Sequence, residues 1–337
     1  MRVLMVEPGP EFSVHDCHAG WAEAFRALGC DTVEIAYNDR LGFYADAGRL
    51  TTDGEFVHMV DSTGAVRMAA KGIEAACFEF WPDLVFVTSC FFIPLDTLAV
   101  IRARGMKVVI LHTESPYEDD RQVERAAYAD VNLVNDPTNI DRYPAGTSYV
   151  PHSYRPAVHH PGPANPQLAS EHVFVGTAFP SRIQFLEAVD FDRIDVALAG
   201  NWQGLDADSP LRKYVAHDLD DCLDNVDTAD MYRSSLTSAN LYRVESERPG
   251  LEHGWACGPR EIEMAACGLW FARQSRPESD ELFPMLPTII DPGEYGDAVR
   301  WALAHPELRD TAARAAMAAV ADRTFDSQAR RLLAAVA

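Results

Sequence analysis

Two stretches of the chain hold the residues best placed to do chemistry. Val173-Phe-Val-Gly-Thr-Ala-Phe-Pro-Ser-Arg182 reads as a strand, a glycine turn and a helix start. Such a turn presents backbone N–H groups and the positive end of a helix dipole, which suits a phosphate. Arg182 adds a bidentate donor in the first helical turn. The plain alternative is a turn that only reverses the chain. The second stretch, Asn240–Gly268, delivers Arg243 from a strand and runs through a glycine-interrupted loop to Gly258. It then enters a short helix with Pro259 at its first position. Ile262, Ala265 and Ala266 face inward there, which leaves Arg260 and Glu263 on another face. A carboxylate so placed can accept hydrogen bonds from two vicinal hydroxyls, as a ribose or sugar offers. The competing reading is a solvated helix glutamate.

The elements that must position these groups alternate between strand and helix. In the N-terminal half, strands are expected at Arg2–Val6, Thr32–Tyr37, Leu84–Thr88, Lys107–Leu111 and Asp130–Asn135. Helices are expected at Trp21–Leu28, Gly72–Phe80 and Leu95–Arg104, with Phe56–Thr63 and Ala65–Met68 forming an edge hairpin or insertion. Five prolines between Tyr143 and Pro166 read as an interdomain connection, so the expected boundaries are 1–150, a Pro-rich linker 151–170, and a second domain over 171–310. There, strands His172–Val175, Asp195–Ala199, Ser238–Tyr242 and Leu269–Ala272 alternate with helices Ser181–Ala188 and Glu261–Cys267. A C-terminal helix over 311–337 closes the chain and is expected to cross back to the first domain. The expected fold is α/β: two Rossmann-like open parallel-sheet domains facing a cleft, with ligands at the carboxyl ends of the strands. A phosphorelay receiver is excluded, because Thr88 stands where its aspartate would have to be.

Composition narrows the function classes. The 337 residues are 47% hydrophobic and 24% charged, with 29 basic against 51 acidic residues and a net charge of −22. That field repels polyanions, and Lys occurs only at Lys71, Lys107 and Lys213, so duplex DNA is a disfavoured partner. Apolar runs such as Val108–Leu111 are strand-length, so no membrane is implied. Seven cysteines without a C-x-x-C pair fit a reduced, cytoplasmic setting and no zinc site. His159-His160 lies in the Pro-rich stretch and reads as solvated. No metal and no cofactor are expected.

The run E-M-A-A-C-G at Glu263–Gly268 resembles the E-A-x-A-C-G signature of glycosyltransferases with the two-domain GT-B fold, the CgeB-like and bacteriophage group above all. Val150–Pro156 (V-P-H-S-Y-R-P), Phe174–Arg182 and Asn240–Arg243 (N-L-Y-R) agree in order and spacing, and the resemblance spans roughly residues 80–300. It implies a nucleotide-diphosphate sugar as donor substrate and transfer of the sugar to a protein, glycan, small molecule or modified nucleobase, with retention slightly favoured. By resemblance, Glu263 holds the donor ribose, Gly176, Thr177 and Arg182 face the diphosphate, and Arg243 compensates its charge. The loop Glu252–Gly258 would lie over the donor sugar. Trp255 stands where retaining relatives carry a second glutamate, leaving Glu252 and His253 as substitutes. His112 resembles the strand-end histidine that touches sugar or acceptor. The His15–His18 loop, with Asp16 and His18, is where an inverting enzyme of this fold would keep its base. An epimerase of the same fold and an inactive nucleotide-sugar-binding module are the alternatives.

Overall fold

A computed structural model describes residues 1–10, 14–47, 49–52, 55–58, 60–219, 222–245 and 253–336. The chain forms two compact units, Met1–Pro151 with Gln328–Ala337, and His152–Ser327.

In the first unit β1 (Arg2–Val6), α1 (His15–Ala27), β2 (Asp31–Ile35) and α2 (Tyr37–Ala47) precede a small antiparallel hairpin of β3 (Arg49–Thr52) and β4 (Glu55–His58). α3 (Ser62–Phe80), β5 (Leu84–Thr88), α4 (Leu95–Ala103), β6 (Lys107–His112), α5 (Asp119–Ala126), β7 (Val131–Val134) and β8 (Ser148–Tyr149) follow. The six-stranded sheet has the order β2-β1-β5-β6-β7-β8 and is parallel throughout. Val3–Val6, Val85–Val87 and Val108–Ile110 are wholly buried, as a sheet covered on both faces requires. Trp21 and Phe25 of α1 pack on Phe86 from one side. On α3, buried Ala65, Ala69, Ile73 and Cys77 form one stripe at helical spacing.

That stripe corrects the expected hairpin. Ala65–Met68 is helical because Asp61 caps α3, accepting the Gly64 N–H at 2.6 Å. The hairpin lies earlier, at β3 and β4. α2 was not expected, since Thr32–Tyr37 reads as one strand that takes in its first residue; its anchor is buried Tyr37, whose hydroxyl donates to Phe92 O at 2.7 Å.

The second unit contains β9 (Ser170–Val175), α6 (Pro180–Glu187), β10 (Val196–Ala199), α7 (Asn225–Ser234), β11 (Ser235–Asn240), α8 (Pro259–Ala266) and β12 (Trp270–Arg273). They are followed by α9 (Pro277–Leu282), α10 (Pro292–Ala304), α11 (Pro306–Ala319) and α12 (Phe325–Val336), whose last residues group with the first unit. Within that unit Lys107 donates to Val336 O at 2.7 Å. The second sheet is parallel, in the order β10-β9-β11-β12. Trp202, Trp270, Tyr232 and Tyr295 fill its core. His172 sits at zero exposure between the Thr237 and Tyr295 hydroxyls, at 2.9 and 2.8 Å.

The Pro-rich stretch is not a loose connection. Val158 joins the second core, with Tyr154 and Leu168 packed against it. Tyr154 N–H donates to Arg323 O at 2.9 Å, and Asn165 N–H to the Ser234 hydroxyl at 2.9 Å. The prolines keep the chain extended, while these backbone groups strap it to the second unit.

Candidate functional site

In the second unit the strand order reverses between β9 and β11, and their carboxyl ends deliver the groups singled out above. β9 runs into Gly176 and Thr177. Gly200, at φ +107°, faces them so closely that a Cβ there would stand 2.4 Å from Gly176 O. Arg182 donates through Nε and Nη2 to Leu241 O at 3.0 and 2.7 Å, and through Nη1 to Thr177 O at 3.2 Å. It therefore laces the end of β11 to the β9–α6 turn. Arg243 donates Nε–H to Glu245 O at 3.0 Å. Both guanidinium groups lie over the Phe179 ring, at 5.2 and 5.5 Å from its centre.

One group here was not anticipated. The Glu245 carboxylate accepts the Ser181 N–H at 2.9 Å in the first turn of α6. Burial pushes this carboxyl up, but the Ser181 N–H and the other donors around it together outweigh burial and hold it below the ordinary range. The helix start expected to face a phosphate already holds a carboxylate of the same chain.

Glu263 is not a solvated helix residue. It is 5% exposed, accepts from Asn225 Nδ2 through Oε1 and from Arg260 Nη1 through Oε2, both at 2.9 Å. Arg260 also donates to Asn225 Oδ1 at 3.0 Å, closing a three-membered cluster. Burial pushes the Glu263 carboxyl up; the charge of Arg260 leads the influences that together outweigh it, and the group stays ionised below its ordinary value.

The segment before α8 is gripped by two further carboxylates. Gly258 N–H donates to Glu261 at 2.7 Å, and Glu261, wholly buried, also accepts from Tyr242 OH at 2.5 Å and Ser279 Oγ at 2.7 Å. Burial raises its pKa despite these donors. Cys257 N–H donates to Glu278 at 2.9 Å, and Arg323 pairs with Glu278 at 2.8 Å. Arg276 donates to Ala256 O at 3.1 Å and lies 3.9 Å over the Tyr242 ring. His253 is exposed and Trp255 half-buried. Glu252 lies outside the described residues.

In the first unit, the strand reversal falls between β1 and β5. Asp16 is half-buried in the first turn of α1, and His15 is exposed. His18 is 1% exposed, with Nδ1 3.3 Å from Thr88 Oγ1 and Nε2 3.1 Å from Glu34. Both ring nitrogens are engaged, so His18 ties α1 to β5 and β2 instead of presenting a base. His112 is also 1% exposed; its Nε2 is 2.9 Å from Asn132 Oδ1, and Asn132 donates to Ala126 O. Burial pushes its pKa down to about 4. A neutral ring bonded to Asn132 ties β6 to β7.

His159 corrects another expectation. It is 1% exposed, and one ring nitrogen lies within 4.8 Å of a Glu263 carboxylate oxygen. A hollow of about 420 Å³ lined by Glu187, Asp190, Phe191 and Tyr214 lies before β10, at the amino edge of the sheet, and contains none of these groups. Sequence reasoning missed Asn225, Glu245, Glu278 and His159. Asn225, Glu278 and His159 reach the site from other stretches of chain, and Glu245, though two residues from Arg243, carries no local pattern that marks its bond to Ser181.

Residues 182–334 match the family model described as Glycosyl transferase-like. No curated protein matches the sequence. Solved structures resemble the chain along its whole length. A sucrose-phosphate synthase from Thermosynechococcus elongatus is 14% identical with a TM-score of 0.64, covering 99% of this chain and 100% of that one. A glycosyltransferase from Rickettsia africae is 11% identical, with a TM-score of 0.66 over 100% and 97% of the two chains. An alpha-glucosyltransferase in complex with UDP is 13% identical, with a TM-score of 0.66 over 100% and 99%. The chain has the α/β fold of the GT-B glycosyltransferases, two parallel sheets with flanking helices, and the family match within its C-terminal half supports a glycosyltransferase.

Proposed function

We propose that the protein transfers a glycosyl group from a nucleoside-diphosphate sugar to an acceptor hydroxyl or amine, holding the donor on its second unit. The observation that carries this reading is the buried, ionised Glu263 held by Arg260 and Asn225, inside the stretch that matches the glycosyl transferase-like family. Its carboxylate keeps lone pairs for the two ribose hydroxyls. The bond from the anomeric carbon to the diphosphate breaks, charge develops on the leaving phosphate, and Arg243 with the Thr177 backbone offsets it without a metal, while Gly176, whose N–H donates to Ala199 O at 2.9 Å, shapes the turn. Arg182 acts one step back, fixing that turn through Leu241 O. Gly258 positions the backbone at the start of α8. Within the class, the E-M-A-A-C-G run supports the CgeB-like and phage group, and a UDP complex among the structural neighbours supports uridine as the base. The acceptor is a protein, glycan or small molecule, since −22 charge opposes DNA.

The test is donor consumption from a panel of nucleoside-diphosphate sugars, with Arg243→Ala beside the wild type. One donor is consumed, and the variant loses roughly 10- to 100-fold in turnover with little change in nucleotide affinity. An unchanged turnover would remove Arg243 from the reaction. A putative UDP-N-acetylglucosamine 2-epimerase from Listeria monocytogenes shares the fold at a TM-score of 0.60; an isomerised donor without acceptor would favour that chemistry. Retention is proposed on the resemblance, and the anomeric configuration of the product reads it directly. Inversion would give the base role to Asp16.

A further inference from the structure

His159 is buried although it lies in the stretch richest in proline. Its own N–H closes a turn on Arg155 O at 2.8 Å, and its Nδ1 accepts the Arg155 N–H at 3.3 Å. Arg233 of α7 fixes the preceding residue by donating to Val158 O at 2.7 Å, while Val158 itself enters the core. Because Nδ1 accepts, the hydrogen of the neutral ring is assigned to Nε2, which makes Nε2 a donor.

The ring so placed faces Glu263, with a nitrogen within 4.8 Å of its carboxylate. Glu263 is thus bounded by three elements: Asn225 from α7, Arg260 from α8, and His159 from the strap. Asn225 and Arg260 are bonded to each other as well as to the carboxylate, so together they constrain it from one cluster. A carboxylate offers about four lone-pair sites, and accepting both hydroxyls of a diol demands that its plane be fixed. His159 comes within 4.8 Å of that carboxylate from a separate stretch of chain.

We propose that His159 is a positioning residue for ribose recognition, setting the Glu263 carboxylate so that it accepts both hydroxyls of the donor's vicinal diol. The proposal rests on Glu263 being the ribose-binding group. The same geometry predicts discrimination between ribonucleotides and 2′-deoxyribonucleotides, because losing one hydroxyl leaves a buried carboxylate short of a donor.

Calorimetric titration of the full chain with UDP, GDP and ADP, each beside its 2′-deoxy counterpart, tests it. The wild type prefers its ribonucleotide by at least about 10-fold. Glu263→Ala abolishes the preference. His159→Asn keeps an acceptor for the Arg155 N–H but withdraws the side chain from Glu263; it lowers the preference to within about 3-fold and leaves deoxynucleotide affinity unchanged. His159→Gln, whose amide reaches the Nε2 position, retains most of the preference. If His159→Asn keeps the full preference while Glu263→Ala loses it, His159 has no such role and Glu263 keeps its own. Equal weakening of both nucleotides by His159→Asn reduces His159 to a structural residue and overturns the proposal. A wild type without preference, or one that Glu263→Ala leaves intact, overturns the reading of Glu263 and the proposal with it.

Discussion

At the residue scale, buried carboxylates and histidines divide into those that hold the fold and those that can meet a ligand. Glu261 and Glu278 each take a backbone N–H before α8 and hold that segment, whereas Glu263 accepts from the side chains of Asn225 and Arg260. Glu263→Ala is therefore expected to weaken nucleotide binding roughly 10- to 100-fold, the loss of bonds to a charged group; unchanged affinity by titration would contradict it. His112 has a pH consequence. Its folded pKa of about 4 lies below the ordinary 6.5, so only the unfolded chain takes up its proton between those values. The contribution is complete above pH 6.5 and is lost as pH falls toward 4, on the order of 3 kcal/mol. Denaturant midpoints across that range should fall less steeply in His112→Gln than in the wild type. Parallel slopes would show that His112 is not the group responsible. Glu263 and Arg243 were legible because a motif and a strand end surround them. Asn225 and His159 were not, because their relation to Glu263 exists only after α7 and the Pro-rich strap have packed.

At the element scale, the β9–α6 turn is the part on which the phosphate reading depends, and its shape comes from a close approach of backbones. Gly200 at φ +107° lies against Gly176, where an added Cβ would stand 2.4 Å from a carbonyl oxygen. Gly200→Ala should cost several kcal/mol, about the sum of the left-handed strain and a displaced turn, read as a lowered unfolding midpoint. A loss below about 0.5 kcal/mol would mean the turn tolerates the side chain. Glu245 already bonds the first turn of α6, so Glu245→Gln should bind phosphate-bearing ligands several-fold more tightly by removing a competing charge; weaker binding would show that Glu245 supports the site. The buried parallel strands β1, β5, β6 and β9 were readable as apolar runs, and α8 from its proline start. α2 and the first turns of α3 were not: Thr32–Tyr37 reads as a strand that runs into α2, and Val66-Arg-Met68 reads as strand until Asp61 is seen capping the helix. The division between the units does fall in the Pro-rich stretch, but what that stretch packs against was not legible, since proline composition describes only local stiffness.

At the scale of the whole molecule, −22 net charge is a statement about partners. Filter binding with duplex DNA at about 0.15 M salt is expected to give no retained complex, because the acidic surface repels phosphates that come within a Debye length of about 8 Å. Tight, salt-sensitive retention would reveal a basic surface that composition conceals. No helix among the described residues is long and apolar enough to cross a membrane. The α/β class was legible from the alternation of buried strands and helices; the grouping of Gln328–Ala337 with the first unit depends on long-range packing that periodicity cannot convey. The central claim is that the second unit holds a nucleoside diphosphate. Thermal unfolding against a panel of nucleoside diphosphates and their sugars tests it most directly. At 100 times its Kd a ligand stabilises by about 2.7 kcal/mol, enough to raise Tm by roughly 2–4 °C. We predict such a shift with one nucleotide and its sugars, lost in Glu263→Ala. No shift with any nucleotide, or one that survives Glu263→Ala unchanged, would contradict the account.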